Sequence, residues 1–322
     1  MIGKIPTAYH TLCLEPGFTV FHDYELITWV LGPLLYKRHC GGDFLLQTDP
    51  AGLSKVQELG LESLYDSIHT VQVPPGIDSK VFWCASRYLT MPKAPCISLD
   101  FDAVIFRPFW HGKNADVICM NPEPVHWNPY TDGQNKYAEY LRQGGVDFND
   151  FQWSLPSVNC GVMAIFDEEF RRKYVATVLA AMKIITNCGM KPTRYDDPSK
   201  TDKGTYIAEA VLVDQRILAM LAHQESRILK FVAEFDEELD THTKNPYALH
   251  LWKMKHGFLA SPSFLADYMD WALSTLWRQF PERWNLLDKL YLPTNVYENV
   301  HTGRLRFASN NFQKFPGEKK LN

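Results

Sequence analysis

The stretch Pro95-Cys96-Ile97-Ser98-Leu99-Asp100-Phe101-Asp102-Ala103-Val104-Ile105-Phe106 decides how this chain reads. An apolar run ends in two aspartates one residue apart and then turns apolar again. On an extended strand, residues i and i+2 point to the same side. The spacing therefore predicts Asp100 and Asp102 side by side, with Phe101 turned into the packed layer. Buried carboxylates are costly unless they are paired or hold a metal. A strand that ends in Asp-x-Asp is thus a place for a hard divalent cation, with oxygen ligands and room for phosphate oxygens. The plainer reading is two aspartates marking a strand end in water.

On the N-terminal side of this stretch, residues 7–14 read as a first strand, broken by Glu15-Pro16-Gly17. A helix is predicted from about Tyr24 to Arg38, with Leu26, Trp29, Val30 and Leu34 on one face and Gly41-Gly42 as its stop. Residues 43–49 form a second strand, Pro50 opens a second helix, and Ile68 to Val73 is a third strand. A helix from about Ser79 to Thr90, carrying Lys80 and Arg87, then leads into the Asp100/Asp102 strand. This alternation predicts the α/β class, with a mostly parallel central sheet and right-handed crossovers. In such sheets ligands bind outside the carboxyl ends of the strands, which is where Asp100 and Asp102 fall.

Beyond the stretch, Ala115 to Met120 is another strand, and residues 121–157 are rich in Asn, Pro, Gly, Trp and Tyr, with one short helix around Lys136 to Gln143. Ser157 to Phe166 passes from loop to strand, and a long helix runs from Asp167 to about Thr186. Residues 188–205 read as an exposed, mobile loop. A helix from Ile207 to His223 carries Glu209, Asp214 and Gln215. Strands at Ile228 to Phe235 and Ala248 to Trp252 flank an acidic turn, and Phe264 to Phe280 is an aromatic amphipathic helix. The tail is mixed from 283 and polar after about Ser309. The division expected is one domain over 1–258 and a helical C-terminal extension over 259–322, packed on it and ending in a polar tail.

A chain of 322 residues can bury a full core, and 46% hydrophobic with 22% charged residues is ordinary globular composition. The formal charge of −4 argues against a general nucleic-acid binder. An anionic ligand then needs locally placed Lys, Arg or a metal. The seven cysteines are scattered without a Cys-x-x-Cys pair and read as reduced core residues. No signal-type apolar region opens the chain and no apolar run reaches membrane-spanning length. The expectation is a soluble cytoplasmic protein with at most peripheral membrane contact. Aromatics at 13%, nine of them tryptophan, lean towards stacking on sugars or bases. No Gly-x-Gly-x-x-Gly follows the first strand and no Walker-type loop is present, so dinucleotide and P-loop readings have no support.

Order matters as much as any motif. Three strand–helix units lead to Leu99-Asp100-Phe101-Asp102, then Val158-Asn159-Cys160-Gly161-Val162, then Asp214-Gln215, then His250-Leu251-Trp252-Lys253. This series resembles the GT-A fold nucleotide-sugar glycosyltransferases, of the glycogenin and bacterial lipopolysaccharide galactosyltransferase type, over roughly residues 5–256. The late motif of that family, His followed by Gly and then Lys-Pro-Trp, is not reproduced. Here the chain reads His250-Leu251-Trp252-Lys253-Met254-Lys255-His256-Gly257, which leaves the phosphate-binding lysine open between Lys253 and Lys255.

The resemblance implies a Rossmann-like GT-A domain and a metal site of Asp100, Asp102 and His250, with Asp102 the more direct ligand and Asp100 also meeting the ribose. The ion implied is Mn²⁺ or Mg²⁺, with imidazole tilting the choice to Mn²⁺. Lys80 and Arg87, a multiple of one turn apart, could share a helix face and hold Asp100 and the donor. Tyr9 and Thr11 lie on one side of the first strand, and Asp49 ends its neighbour, where the fold holds base and ribose. Asn159, Asp214 and Gln215 are the expected catalytic-side residues, with Gly161 letting backbone approach the sugar. The function implied is retaining transfer of a hexose from a nucleotide diphosphate sugar, UDP-linked, to a glycan or glycolipid acceptor, as in polysaccharide biosynthesis. The alternatives are an inactive binding protein of the same fold and a nucleotidyltransferase.

Overall fold

The computed structural model describes residues 4–14, 22–124, 126, 128–148, 155–196, 205–233, 247–251 and 254–290. The first strands are β1 (Thr7–Leu12), β2 (Phe44–Thr48), β3 (Ser67–Thr70), β4 (Cys96–Leu99), β5 (Ala103–Ile105) and β6 (Val117–Cys119). Then come β7 (Pro122–Glu123), β8 (Ser157–Val158), β9 (Val162–Ile165), β10 (Arg194–Asp196), β11 (Thr205–Ile207), β12 (Leu229–Phe231) and β13 (Ala248–His250). Seven of them form the central sheet in the order β12-β6-β9-β4-β1-β2-β3. Pairs β1/β2, β1/β4, β2/β3 and β6/β12 are parallel, whereas β9 runs antiparallel to both β4 and β6. This is the mostly parallel α/β sheet that the alternation of elements implies.

The helices are α1 (Asp23–Cys40), α2 (Pro50–Glu58), α3 (Ala85–Leu89), α4 (Asn128–Gln143) and α5 (Glu168–Asn187). After them come α6 (Ala208–Val211), α7 (Ile217–Gln224), α8 (Met254–Ala260) and α9 (Pro262–Gln279). Residues Leu212–Arg216 between α6 and α7 form a π-helical turn. One face of the sheet buries Ala8, Leu12, Leu46 and Leu99 with Trp29 of α1 and Trp271 of α9. The other buries Tyr9, Cys96 and Met163 with Tyr88, Tyr174, Val178 and Leu218. Among the described residues no helix is long and apolar enough to cross a membrane. All seven cysteines are free.

Several boundaries differ from the sequence reading, each for a physical reason. The helix expected over Ser79 to Thr90 is only α3, because Asp78 competes for the backbone. Its carboxylate accepts the Lys80 N–H at 2.9 Å and its carbonyl accepts those of Val81 and Phe82, making separate turns. Lys80 and Arg87 therefore do not share one helix face: Lys80 lies exposed in those turns and Arg87 is buried in α3. The short helix expected near Lys136 begins at Asn128, where Asn-Pro acts as a start signal. Gly133 permits that longer helix to cross α6 closely, since a Cβ there would meet the Ala208 carbonyl at 3.0 Å.

The segment expected as a mobile loop over 188–205 has paired ends, β10 with β11, while its middle, 197–204, lies outside the described residues. The strand near Ile228 is limited to β12, and the acidic turn at 234–246 also lies outside them. α1 was expected to bury one face, yet it is buried on nearly every side from Tyr24 to Tyr36. The reason is that the C-terminal helices cover its outer side. Tyr24 packs on Phe258 at 5.0 Å between ring centroids, Thr28 bonds Tyr268, and Arg38 donates to the Gln279 carbonyl at 2.6 Å. α8 runs through position 258/259, and the tail from 291 lies outside the described residues.

Candidate active site

Asp100 and Asp102 are brought together by a turn, not by the alternation of a strand. β4 stops at Leu99, and the Ala103 N–H donates to the Asp100 carbonyl at 3.0 Å, closing a turn over Asp100-Phe101-Asp102 before β5 begins. Phe101 is turned inward as expected and packs at 4.7 Å from the His10 ring and 4.4 Å from Trp29. The strand reading placed the aspartates correctly by the wrong local conformation. A turn holds the carboxylates only if neighbours fix them, and here every neighbour comes from elsewhere in the chain.

His250 arrives through β13, which pairs antiparallel with β5 so that His250 lies opposite Ala103. The Leu251 N–H donates to the Asp102 carbonyl at 2.9 Å and locks that register. His250 Nε2 then stands 3.4 Å from Asp102 Oδ1 and 3.8 Å from Asp100 Oδ2. The imidazole is buried against Gly161, where a Cβ would stand only 2.2 Å from His250 Cε1. Gly161 is in place because β9 is antiparallel. Its N-terminal end lies at the carboxyl edge of β4, Leu99 opposite Val162, and the Asp100 N–H donates to the Gly161 carbonyl at 2.9 Å.

The second oxygen of each aspartate meets a cation. Arg87, 1% exposed, donates through NH2 to Asp100 Oδ1 and through NH1 to both oxygens of Asp214 at 2.9 Å. Lys255 Nζ lies 2.8 Å from Asp102 Oδ2 and 2.7 Å from Glu25 Oε1. Asp214 also takes the Tyr88 hydroxyl on its carboxylate and the Tyr174 hydroxyl on its carbonyl, the latter at 2.7 Å. The π-helical turn turns Asp214 towards Arg87 and lets its neighbour Gln215 reach Tyr130. Such turns recur at functional sites.

A second chain of polar groups leads away from His250. The Gly161 N–H donates to Asn159 Oδ1 at 3.0 Å, and Asn159 Nδ2 donates to Glu123 Oε1 at 2.7 Å. The Tyr130 hydroxyl joins Glu123 Oε2 to Gln215 Oε1. Asn159 thus spends both ends of its amide on the chain itself. Tyr9 is fully buried in the core beside Cys96 and the Arg87 side, and Thr11 is half-buried on the same side of β1. Asp49 caps α2, accepting the Gly52 N–H at 2.7 Å and the Leu14 N–H at 3.2 Å. The structure therefore joins Arg87, Asp100, Asp102, Asp214, His250 and Lys255 in one cluster, and leaves Lys80 on the surface. Lys253 lies outside the described residues. Glu25, Glu123, Tyr88 and Tyr130 were not foreseen, because long-range partners carry no local pattern; only Glu25, in a first helical turn with a capping role, had any sequence signal.

Electrostatics follow from this packing. Burial raises the Asp102 carboxyl, but Lys255 and His250 more than offset it and hold it well below the carboxylate range. Burial works against a proton on His250, but Asp102 and Asp100 outweigh it and raise its pKa. Burial raises the Asp100 carboxyl, with Arg87 opposing. Burial disfavours the Lys255 ammonium, yet Asp102 and Glu25 overcome this and raise its pKa.

The donor set fits a divalent cation. One ligand atom each from Asp100, Asp102 and His250 lies within 4.8 Å of the others. Arg87 and Lys255 occupy the outer oxygens, so Asp100 Oδ2 and Asp102 Oδ1 are the ones turned to His250. Among the described residues, four carboxylates, Asp100, Asp102, Asp214 and Glu25, face two permanent cations, Arg87 and Lys255. With neutral imidazole the cluster has an excess of two negative charges, the charge of one such ion. Oxygen donors with one imidazole suit Mn²⁺ above Mg²⁺.

No protein-family model matches this chain, and no curated protein matches it. Among solved structures, mouse xyloside xylosyltransferase 1 in its apo form aligns at 10% identity, covering 71% of this chain and 85% of that one, with a TM-score of 0.35.

Proposed function

We propose that this chain is a metal-dependent glycosyltransferase, moving a hexose from a nucleotide diphosphate sugar, UDP-linked, to a glycan or glycolipid acceptor with retention of configuration. The observation that carries the reading is the Asp100–Asp102–His250 cluster at the carboxyl edge of a mostly parallel sheet, flanked by Arg87 and Lys255. That edge is where open α/β sheets bind ligands, and the order of motifs along the chain supports the same reading.

Asp100, Asp102 and His250 would hold Mn²⁺ or Mg²⁺. When bound, the ion supplies Lewis-acid stabilisation of charge on the leaving diphosphate. Arg87 bridges Asp100 and Asp214 by hydrogen bonds from its two terminal nitrogens, so both carboxylates are oriented before donor arrives. Lys255, paired with Asp102, is the lysine proposed to share the diphosphate, with Lys253 as the second candidate. Thr11, near the end of β1, and Asp49, just after β2, are proposed for base and ribose; Tyr9, fully buried within β1, backs that side of the strand. Asn159 acts by holding the Gly161 backbone, and Gln215, fixed through Tyr130, is the polar group offered to the transferred sugar.

Two measurements test the reading. Thermal-shift titration with Mn²⁺ and a nucleotide panel is expected to show stabilisation by UDP that depends on the metal. Indifference to every nucleotide sinks the proposal. Asp102→Asn is expected to abolish hydrolysis of the sugar nucleotide in a chain that still folds by circular dichroism but melts lower for loss of the buried Lys255 pair, and retained turnover removes this cluster from the chemistry.

A further inference from the structure

Lys255 is buried between two carboxylates that belong to different parts of the fold. Its ammonium is shared nearly evenly, 2.7 Å from Glu25 Oε1 in the first turn of α1 and 2.8 Å from Asp102 Oδ2 in the turn after β4. The side chains of Lys255, Glu25 and Asp102 are 14%, 17% and 12% exposed. The geometry around each is fixed by backbone. The Lys255 N–H donates to the Leu251 carbonyl at 3.0 Å, and the Leu251 N–H donates to the Asp102 carbonyl at 2.9 Å. Glu25 Oε2 accepts the His22 N–H at 3.1 Å, which fixes the carboxylate at the start of α1 and leaves Oε1 for Lys255. The Tyr24–Phe258 ring contact closes the junction between the two helices.

We propose that Lys255 is a built-in counter-cation of the metal site and that Glu25 is the positioning residue that sets how much of its charge Asp102 receives. The inference rests on the proposed cation site at Asp100, Asp102 and His250. A lysine ammonium and a divalent ion compete for the same carboxylate, because each neutralises it and each repels the other. Lys255 sits on Asp102 Oδ2 and leaves Oδ1 facing His250, while Glu25 draws off part of the charge that the ammonium would otherwise give Asp102. Without Glu25, Lys255 is left with Asp102 as its one carboxylate partner among the described residues and the cation is disfavoured. Without Lys255, the competing charge is gone. The two substitutions therefore act with opposite sign, which a purely structural role for the pair does not produce.

The test is Mn²⁺ binding to the full chain without nucleotide, followed by the EPR signal of free Mn²⁺, with circular dichroism as the check on folding. Relative to wild type, Glu25→Gln is expected to weaken Mn²⁺ binding and Lys255→Met to tighten it, each by roughly tenfold. The double variant should follow Lys255→Met, since Glu25 acts through the lysine, and Glu25→Asp should restore much of the wild-type affinity. Asp102→Asn should lose the site. Equal weakening by both single variants, or no change in Glu25→Gln, overturns the assignment to Glu25. Absence of any Mn²⁺ site in the wild-type chain overturns the metal reading along with it.

Discussion

Arg87 shows how one side chain can hold a site that spans most of the sequence. Its guanidinium is 1% exposed and joins Asp100, thirteen residues on, to Asp214, which the chain reaches only after two more strands of the central sheet, β6 and β9. The resemblance implied the Arg87–Asp100 contact, which the fold makes, whereas nothing around position 87 announces the second partner, Asp214. Removing a partner from a buried ion pair leaves the other charge uncompensated and costs about 3–5 kcal/mol. Arg87→Met is therefore expected to lower unfolding free energy by roughly that amount, measured by urea denaturation at neutral pH. A loss below about 1 kcal/mol, the size of an exposed pair, contradicts the buried fork.

At the scale of elements, some residues with functional candidacy turn out to serve the scaffold. Asp49 ends β2 where a ribose contact was expected, yet its carboxylate is already engaged by two backbone N–H groups, one of them in the first turn of α2. Asp49→Ala should cost about 1 kcal/mol through loss of the cap, read as a lower melting temperature. If the role in base and ribose binding also holds, the metal-dependent UDP shift falls as well; a melting change alone leaves Asp49 as a cap. The antiparallel β9 is the opposite case, an element whose direction builds the candidate site. Running it backwards places the residues that lead into it, Asn159 to Gly161, at the edge where the parallel strands end. Periodicity cannot foresee this, because an apolar strand reads alike in both directions.

Across the whole molecule, α1 is the link between the sheet and the C-terminal helices, and His10 lies where α1 meets the sheet. The His10 ring is fully buried among Phe44, Tyr65 and Phe101, with Nδ1 3.1 Å from the Tyr65 hydroxyl. Burial lowers its pKa to about 3, with Asp102 opposing. The unfolded chain takes up a proton near 6.5 while the folded chain refuses it until about pH 3. Stability is thus complete above 6.5 and falls as the pH drops through that window, by up to about 1.4 kcal/mol per unit. His10→Leu should flatten the pH dependence of the unfolding free energy between pH 4 and 6.5 relative to wild type. An unchanged slope means His10 takes its proton in the folded state.

The sequence by itself determined the α/β layering, since alternating apolar periods and the breakers between them are local properties of the chain. It also marked Asp100 and Asp102, because two carboxylates at the end of an apolar run stand out in one dimension, whereas Asp214 and His250 were marked only by the order of motifs that resembles a family. Tertiary structure alone decided which of these meet. The turn after β4, the reversal of β9, the β5–β13 pairing and the π-helical turn set that geometry, and all depend on contacts between distant segments. It also decided the charge balance, because Arg87, Lys255 and Glu25 act through partners far away in sequence. A carboxylate can be read from one residue; the ion it is prepared to hold is set by every charge the fold packs around it.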